Sequence, residues 1–278
     1  MDEEIKTTGP KIYLLPNLMT AGNLFCGFAA VLRIFEGMMA AQEGLIEVVF
    51  YYDAIAFILG ACVFDVLDGR VARFGGFESP FGREFDSLAD IVSFGMAPAL
   101  LVYQIVLAGF DWGWLIAFFY LLCGALRLAR FNCVAAMQEG KPEKDFDGFP
   151  IPAAAGLISS LTLFMLWMND GARDLGYWKY ALPPLLVFLS FMMFSHVKYP
   201  SFKAVNWRTQ HSIPKFLIIV VVLVFAAINY RWMPAVLFVL FLIYGFVRPF
   251  ISRALRREIE ENDEEDEDEI APQPPTAS

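Results

Sequence analysis

Charged residues are scarce in this 278-residue chain, at 18% of the sequence, while hydrophobic residues make up 58%. The mean hydropathy is +0.53. A soluble domain is roughly 45–50% apolar, so the composition excludes an ordinary soluble protein and favours one built from membrane-spanning segments. Ten acids lie between Glu258 and Glu269, and without them the formal net charge of −9 becomes +1. The acidity is therefore confined to one end, and no nucleic-acid partner is expected.

Cysteine is also rare. The four cysteines, Cys26, Cys62, Cys123 and Cys133, lie in or beside apolar runs and show no CxxC or Cys/His spacing. This pattern excludes a disulfide framework or a zinc site and predicts small hydrophobic side chains. The chain also lacks the basic start of a cleavable signal peptide, so we expect the first apolar segment to be retained.

Eight apolar segments each approach the ~20 residues that a helix needs to cross a bilayer. They cover residues 15–36, 46–65, 85–108, 112–132, 153–170, 178–196, 214–230 and 233–250. The sequence therefore predicts an all-α polytopic membrane protein with about eight transmembrane helices. We divide it into an N-terminal tail (1–14), a transmembrane core (15–200), a transmembrane extension with a basic interfacial end (201–257) and an acidic disordered tail (258–278).

The basic residues are unevenly shared between the two sides of the predicted membrane. With a cytoplasmic N-terminus, seventeen of the 21 lysines and arginines fall in cytoplasmic tails and loops. The opposite side keeps Arg33, Arg173, Lys179 and Arg231. Because positive charge marks the cytoplasmic side, we expect both termini, and the stretch 65–90, at the cytoplasmic face of the cell (inner) membrane.

One stretch concentrates acids and small residues at fixed intervals. It reads Asp65-x2-Asp68-Gly69-x2-Ala72-Arg73-x8-Gly82-x3-Asp86-x3-Asp90. Spacings of three and four place each acid pair on one helix face. We expect the first pair to end one apolar helix and the second pair to begin the next. Carboxylates beside hydrocarbon are costly, and the natural compensating charge is a divalent cation bound through oxygen.

Such an arrangement of acids is typical of metal-assisted phosphoryl transfer. Two divalent cations can stabilise both the attacking and the leaving oxygens. A carboxylate less committed to metal can accept the proton of the nucleophile. An alternative from another class is a cation transporter, whose acids would be spread through the depth of the membrane rather than clustered at one face.

The motif resembles the signature of the CDP-alcohol phosphatidyltransferase family, with all eight fixed residues present within 26 positions. The resemblance implies a six-helix catalytic core made by spans one to six, with spans seven and eight as an extension, and a homodimer. It also implies that a CDP-linked lipid donates its phosphatidyl group to an alcohol and that CMP leaves.

Roles for the motif residues follow from the same resemblance. Asp65, Asp68 and Asp86 would be metal ligands for two ions of Mg²⁺ or Mn²⁺. Asp90 would be the general base and would also reach the second ion. The nucleotide and its diphosphate would be bound by Gly69, Ala72, Arg73 and Gly82.

Segments outside the motif narrow the choice of acceptor. Residues 16–27, 86–98, 125–132, 146–156 and 195–203 resemble the membrane-embedded phosphatidylserine synthases of bacteria and archaea. This resemblance covers about residues 10–250 and implies CDP-diacylglycerol as donor and L-serine as acceptor. The alternative keeps the chemistry but uses glycerol 3-phosphate or an inositol phosphate, which would require a denser basic pocket.

Three polar residues at the end of span four are candidates for binding the acceptor or the lipid phosphate: Arg127, Arg130 and Asn132. The arginines lie about one helical turn apart, and a guanidinium can bind a carboxylate through two parallel hydrogen bonds. Anchoring at the cytoplasmic interface explains the arginines equally well, so both interpretations stay open.

Span one carries a polar stripe of Asn17, Thr20 and Asn23 at intervals of three. The stripe predicts hydrogen bonds between helices near the nucleotide pocket rather than a direct catalytic role. Asp53 in span two is interpreted as a polar residue satisfied between helices.

The predicted topology can be tested with a reporter enzyme that is active only outside the cytoplasm. Fused after Ser278 it should remain inactive in intact cells, because an even number of spans returns the chain to the cytoplasm. Fused after residue 175, in the predicted outer loop between spans five and six, the same reporter should be active. Activity of the C-terminal fusion would contradict the eight-span topology.

Overall fold

The computed structural model describes residues 13–75, 79–137, 145–169, 176–195, 198–200, 225–226 and 228–247. The helices are α1 Leu14–Gln42, α2 Val48–Gly75, α3 Pro80–Asp90, α4 Ala97–Ile105, α5 Gly113–Met137, α6 Ile151–Met168, α7 Leu182–Phe194 and α8 Met233–Val247. A π-helical turn, Ile91–Met96, joins α3 to α4, and 3₁₀ turns cover Leu107–Gly109 and Gly176–Ala181.

Six helical segments of the described chain are long and apolar enough to cross a membrane: Leu14–Gln42, Val48–Val71, Pro80–Ile105, Gly113–Val134, Ile151–Met168 and Tyr177–Phe194. They coincide with predicted spans one to six, so the polytopic all-α architecture is confirmed. Most of the seventh predicted span, 214–230, lies outside the described residues. The eighth corresponds to α8, a shorter apolar helix of 15 residues.

A small β-pair is the exception to the helical architecture within the described residues. Strands β1 (Asp145–Asp147) and β2 (Lys198–Pro200) pair antiparallel, with Phe146 opposite Tyr199. Gly148 follows β1 with φ of +84°, a backbone conformation that favours glycine. A Cβ at this position would also strike the Met193 carbonyl, so glycine allows the chain to turn closely past α7 into α6.

Small residues allow the helices of the core to approach one another closely, as is typical inside membranes. Helix α1 packs along α2, α5 packs on α7, and α6 packs on both α2 and α8. A Cβ at Gly27 would lie 2.7 Å from the Ser93 Cα, and one at Gly37 would lie 2.8 Å from the Tyr51 ring. Side chains at these two points of α1 would force the neighbouring elements apart.

Large apolar side chains also cover much of the outside of the bundle. Phe25 on α1, Trp114 on α5 and Phe191 on α7 are each more than half exposed. A soluble protein rarely exposes so many large apolar side chains. The exposure agrees with helices whose outer faces contact lipid.

Two minor sequence predictions have mixed outcomes. Cys26 and Cys123 are buried, as expected of small hydrophobic residues, whereas Cys133 is exposed. Asp53 on α2 lies 3.6 Å from the Arg33 Nε on α1. Its charge is therefore partnered by an ion pair between these helices.

Candidate active site

The acids of the motif lie on two neighbouring helices. Asp65 and Asp68 lie in α2, and Asp86 and Asp90 lie in α3. We expected the first pair to end its helix, but α2 continues to Gly75. One internal glycine costs a helix only about 1 kcal/mol relative to alanine, and the arginines and alanine around Gly69 are good helix formers, so nothing local stops the helix.

Helix α3 also begins earlier than expected, at Pro80 rather than beside Asp86. Ser79 caps it, because its Oγ accepts a hydrogen bond from the Gly82 N–H at 3.0 Å. Proline in the first turn suits a helix start, since it has no N–H to satisfy there. The result places Asp86 well inside the helix, with its position fixed by the turns on either side.

Three carboxylates converge between these helices. Ligand oxygens of Asp65, Asp68 and Asp86 all lie within 4.8 Å of one another. Asp68 is buried, at 6% exposure, and the Asp86 Oδ1 is a buried atom with no hydrogen-bond partner. Oxygen-only donors at this spacing, with an acceptor left unsatisfied, fit a divalent cation. The clustering differs from the acids spread through the membrane that a cation transporter would require.

Asp90 lies one helical turn beyond Asp86 and is not one of the three grouped carboxylates. It is buried, at 5% exposure. The Asn23 Nδ2 on α1 donates a hydrogen bond to the Asp90 Oδ1 at 3.0 Å. The four acids therefore do not form one group: three carboxylates converge, and Asp90 is hydrogen-bonded to α1 instead.

The polar stripe of α1 faces the motif. The Thr20 Oγ1 lies 3.1 Å from the Asp68 Oδ2 and 3.2 Å from the Pro16 carbonyl oxygen. Together with the bond from Asn23, this contact confirms the predicted hydrogen bonds between helices for Thr20 and Asn23, whereas the Asn17 Nδ2 is buried with no hydrogen-bond partner. The sequence did not reveal that the partners are the motif acids themselves, since spacing along α1 carries no information about which helix faces it.

The residues expected to bind the nucleotide and its diphosphate are only partly described by the structure. Gly69, Ala72 and Arg73 lie in the last turns of α2, and the side chains of Ala72 and Arg73 lie outside the described part of the chain. A Cβ at Gly82 would lie 3.3 Å from the Ser79 Oγ and 3.4 Å from the Asn17 Oδ1. The glycine thus leaves space beside two polar groups.

The three candidates on α5 have different surroundings. The Arg127 Nε is buried without a hydrogen-bond partner, and its guanidinium interacts electrostatically with Asp90 and Asp65. Arg130 is partly buried one turn further along. Of the two arginines, Arg127 therefore combines a buried unpartnered donor with a position near the acids.

Asn132 contacts α3. Its Nδ2 donates to the Ser87 Oγ at 2.9 Å and lies 3.3 Å from the Glu84 Oε2. These contacts join the end of α5 to the middle of α3. Its amide NH₂ group is thus already engaged in holding the helix that carries Asp86 and Asp90.

The π-helical turn is a further element of the site that the sequence did not indicate. It follows Asp90 directly, and π-turns inside α-helices are frequent at functional sites. The Ser93 Oγ donates to the Asn23 carbonyl oxygen at 2.9 Å, and the Tyr120 hydroxyl donates to the Phe94 carbonyl oxygen at 3.1 Å. Both contacts fix the backbone immediately after Asp90.

Known proteins with similar sequences share this region. The profile of the CDP-alcohol phosphatidyltransferase family matches residues 13–193. A CDP-diacylglycerol–serine O-phosphatidyltransferase of Helicobacter pylori is 33% identical over 85% of this chain and 91% of its own length. The Mycobacterium leprae protein of the same name is 37% identical over 60% of this chain and 51% of its own. An archaetidylserine synthase of Methanothermobacter thermautotrophicus is 34% identical over 67% of this chain and 69% of its own.

The family match runs from just before α1 into α7, so it covers nearly all of the six segments of the described chain that could span a membrane, and all four motif acids. The Helicobacter pylori protein extends the similarity over most of the remaining chain. On this evidence the chain belongs to the CDP-alcohol phosphatidyltransferase family.

Proposed function

We propose that this enzyme transfers the phosphatidyl group of CDP-diacylglycerol to the hydroxyl of L-serine and releases CMP. The observation that carries the proposal is the similarity, over 85% of the chain, to a protein named for this reaction. The described site supports it with three carboxylates within 4.8 Å of one another and a fourth, Asp90, hydrogen-bonded beside them.

Asp65, Asp68 and Asp86 would hold the divalent metal, which we propose to be two ions of Mg²⁺ or Mn²⁺ with Asp90 adjoining the second. When bound, the metal would neutralise the diphosphate of the donor and the charge that develops on the leaving phosphate. The unsatisfied Asp86 Oδ1 supports this assignment, because a buried carboxylate oxygen without a donor is costly. Gly69, Ala72, Arg73 and Gly82 would surround the nucleotide and its diphosphate.

Asp90 would act as the general base. Its carboxylate takes the proton from the serine hydroxyl as the serine oxygen forms a bond to the phosphorus on the lipid side. The bond from that phosphorus to the bridging oxygen breaks, and CMP leaves with the electron pair. The burial of Asp90 supports this role, because water is excluded from around the base and does not compete with the substrate for its carboxylate.

Arg127 would bind the carboxylate of serine. Its buried Nε has no partner, and a buried donor without a hydrogen bond is costly unless a ligand completes it. A carboxylate bound there would bring the serine hydroxyl toward Asp90, with which Arg127 interacts electrostatically. Arg130 would remain near the interface, where it could contact the lipid phosphate.

The site would open toward the cytoplasm of a cell membrane, with both termini on the same side. The distribution of lysine and arginine, with seventeen of 21 on that side, supports this orientation. The acyl chains of the donor would stay among membrane lipids while the soluble nucleotide and serine enter from the cytoplasm. We further propose a homodimer, in line with the family.

The first experiment is an acceptor assay with the purified full-length chain in mixed micelles containing CDP-diacylglycerol. Serine should support CMP release and form phosphatidylserine, whereas glycerol 3-phosphate and inositol phosphate should not. Chelation should abolish the activity and Mg²⁺ or Mn²⁺ should restore it, because the grouped acids need a cation. Incorporation of glycerol 3-phosphate but not of serine would overturn the serine assignment.

Asp90→Asn should abolish most turnover while leaving CDP-diacylglycerol binding largely intact. Loss of a general base typically lowers the rate by about 10²–10⁴-fold, and the substitution preserves size. Asp53→Asn is the matched control, because Asp53 is another aspartate on a spanning helix that pairs with Arg33. The control should keep its activity. Near-normal turnover of Asp90→Asn would reject it as the base.

Arg127→Ala should raise the KM for serine more than the KM for CDP-diacylglycerol, because it removes the proposed partner of the serine carboxylate. Arg127→Lys should recover only part of the loss, since an ammonium cannot form the two parallel hydrogen bonds of a guanidinium. Arg130→Ala provides the comparison one turn away and should affect serine less. A larger effect on CDP-diacylglycerol than on serine would assign Arg127 to the donor.

A further inference from the structure

Asn23 is a completely buried amide on α1, at 0% exposure. Its Nδ2 donates to the Asp90 Oδ1 at 3.0 Å, and its Oδ1 is buried with no hydrogen-bond partner. Among the described residues, the bond to Asp90 is therefore the one polar contact recorded for this side chain. An apolar residue of similar shape would avoid the unsatisfied oxygen, so the amide is poorly explained by stability alone.

The orientation of the amide follows from its partner. An ionised carboxylate only accepts hydrogen bonds, so the NH₂ group of Asn23 must face Asp90 and the carbonyl oxygen must face away. This arrangement occupies one oxygen of Asp90 and leaves the other oxygen for a proton. The donor adds no charge, and so it orients the carboxylate without neutralising it.

The backbone that carries Asn23 is fixed to the backbone that follows Asp90. The Ser93 Oγ donates to the Asn23 carbonyl oxygen at 2.9 Å, and Ser93 is completely buried. Gly27 allows this approach, since a Cβ there would lie 2.7 Å from the Ser93 Cα. Two hydrogen bonds, one of the Asn23 side chain and one of its main chain, thus join this turn of α1 to the Asp90 carboxylate and to Ser93 three residues later.

We propose that Asn23 is a positioning residue that sets the orientation of the Asp90 carboxylate, so that its Oδ2 faces the hydroxyl of the acceptor. The inference rests on the proposed role of Asp90 as the base, and it adds the residue that orients the Asp90 carboxylate. A base must be held within about 0.5 Å and 10–20° of its productive geometry, and residues behind it commonly supply that precision. Asn23 acts through Asp90 and does not itself accept the proton.

The test compares Asn23→Leu with the unmodified chain, both purified at full length in mixed micelles. The variant keeps the approximate shape and removes the donor. It should lower kcat by about 10–100-fold, the scale expected when a reacting group is misplaced by about 1 Å. The KM values for serine and CDP-diacylglycerol should change by less than about threefold. The thermal unfolding midpoint should fall modestly, because the buried Asp90 Oδ1 loses its donor.

Thr162→Val is the matched control. Thr162 is also completely buried in a spanning helix, and its hydroxyl donates to the Ile158 carbonyl oxygen of its own helix. This variant removes a buried polar group of similar size far along the chain from the motif, and its kcat should stay unchanged. A fall in kcat equal to that of Asn23→Leu would show a general effect of repacking and would overturn the proposal.

A double-mutant cycle separates positioning from a structural role. If Asn23 acts through Asp90, the pair Asn23→Leu/Asp90→Asn should turn over no more slowly than Asp90→Asn alone. Multiplicative losses would overturn the proposal. CMP release is measured with whichever alcohol the unmodified enzyme accepts, so failure with serine would reject the proposed acceptor without deciding the role of Asn23.

Discussion

Repulsion between carboxylates in a partly dry site is the constraint on which this structure depends. Two like charges about 4 Å apart repel by roughly 4 kcal/mol at an effective dielectric constant near 20. The oxygens of Asp65, Asp68 and Asp86 meet within 4.8 Å, so the fold must hold them together until a cation offsets their charge. Packed helices can do this because a close-packed interior restricts movement of the helical turns that carry the acids.

Helix α1 contributes to that rigidity although it contains none of the motif residues. Thr20 contacts Asp68, and Asn23 contacts Asp90, so one face of α1 reaches an acid of each pair. Close packing at Gly27 and the hydrogen bond from Ser93 then tie α1 to the π-helical turn. The acids are therefore held by three elements: α2 and α3 carry them, and α1 orients them.

In the proposed mechanism, different helices contribute to the chemistry and to the choice of alcohol. The acids of α2 and α3 can serve any reaction in which a hydroxyl attacks a CDP-linked phosphorus. The groups that distinguish one alcohol from another must lie where the alcohol enters, and α5 faces the acids through Arg127. On the same helix Asn132 is engaged with Ser87 and Glu84 of α3. If Arg127 binds the acceptor as proposed, a change on α5 would affect both acceptor binding and the placement of α3.

Composition and spacing by themselves determined the membrane architecture, the first six spans and the acid motif, because these depend on residues near one another in the sequence. The family followed from the resemblance of that motif to a known signature. Only the tertiary structure decided that α2 continues to Gly75, that Asn23 faces Asp90 across 67 positions, and that Arg127 is the arginine with a buried unpartnered nitrogen among the described residues. Hydropathy shows that a helix crosses the membrane, but not how far it is rotated or which neighbour it meets. Hydrogen-bond partners depend on that rotation, and so they emerge only when the helices have packed.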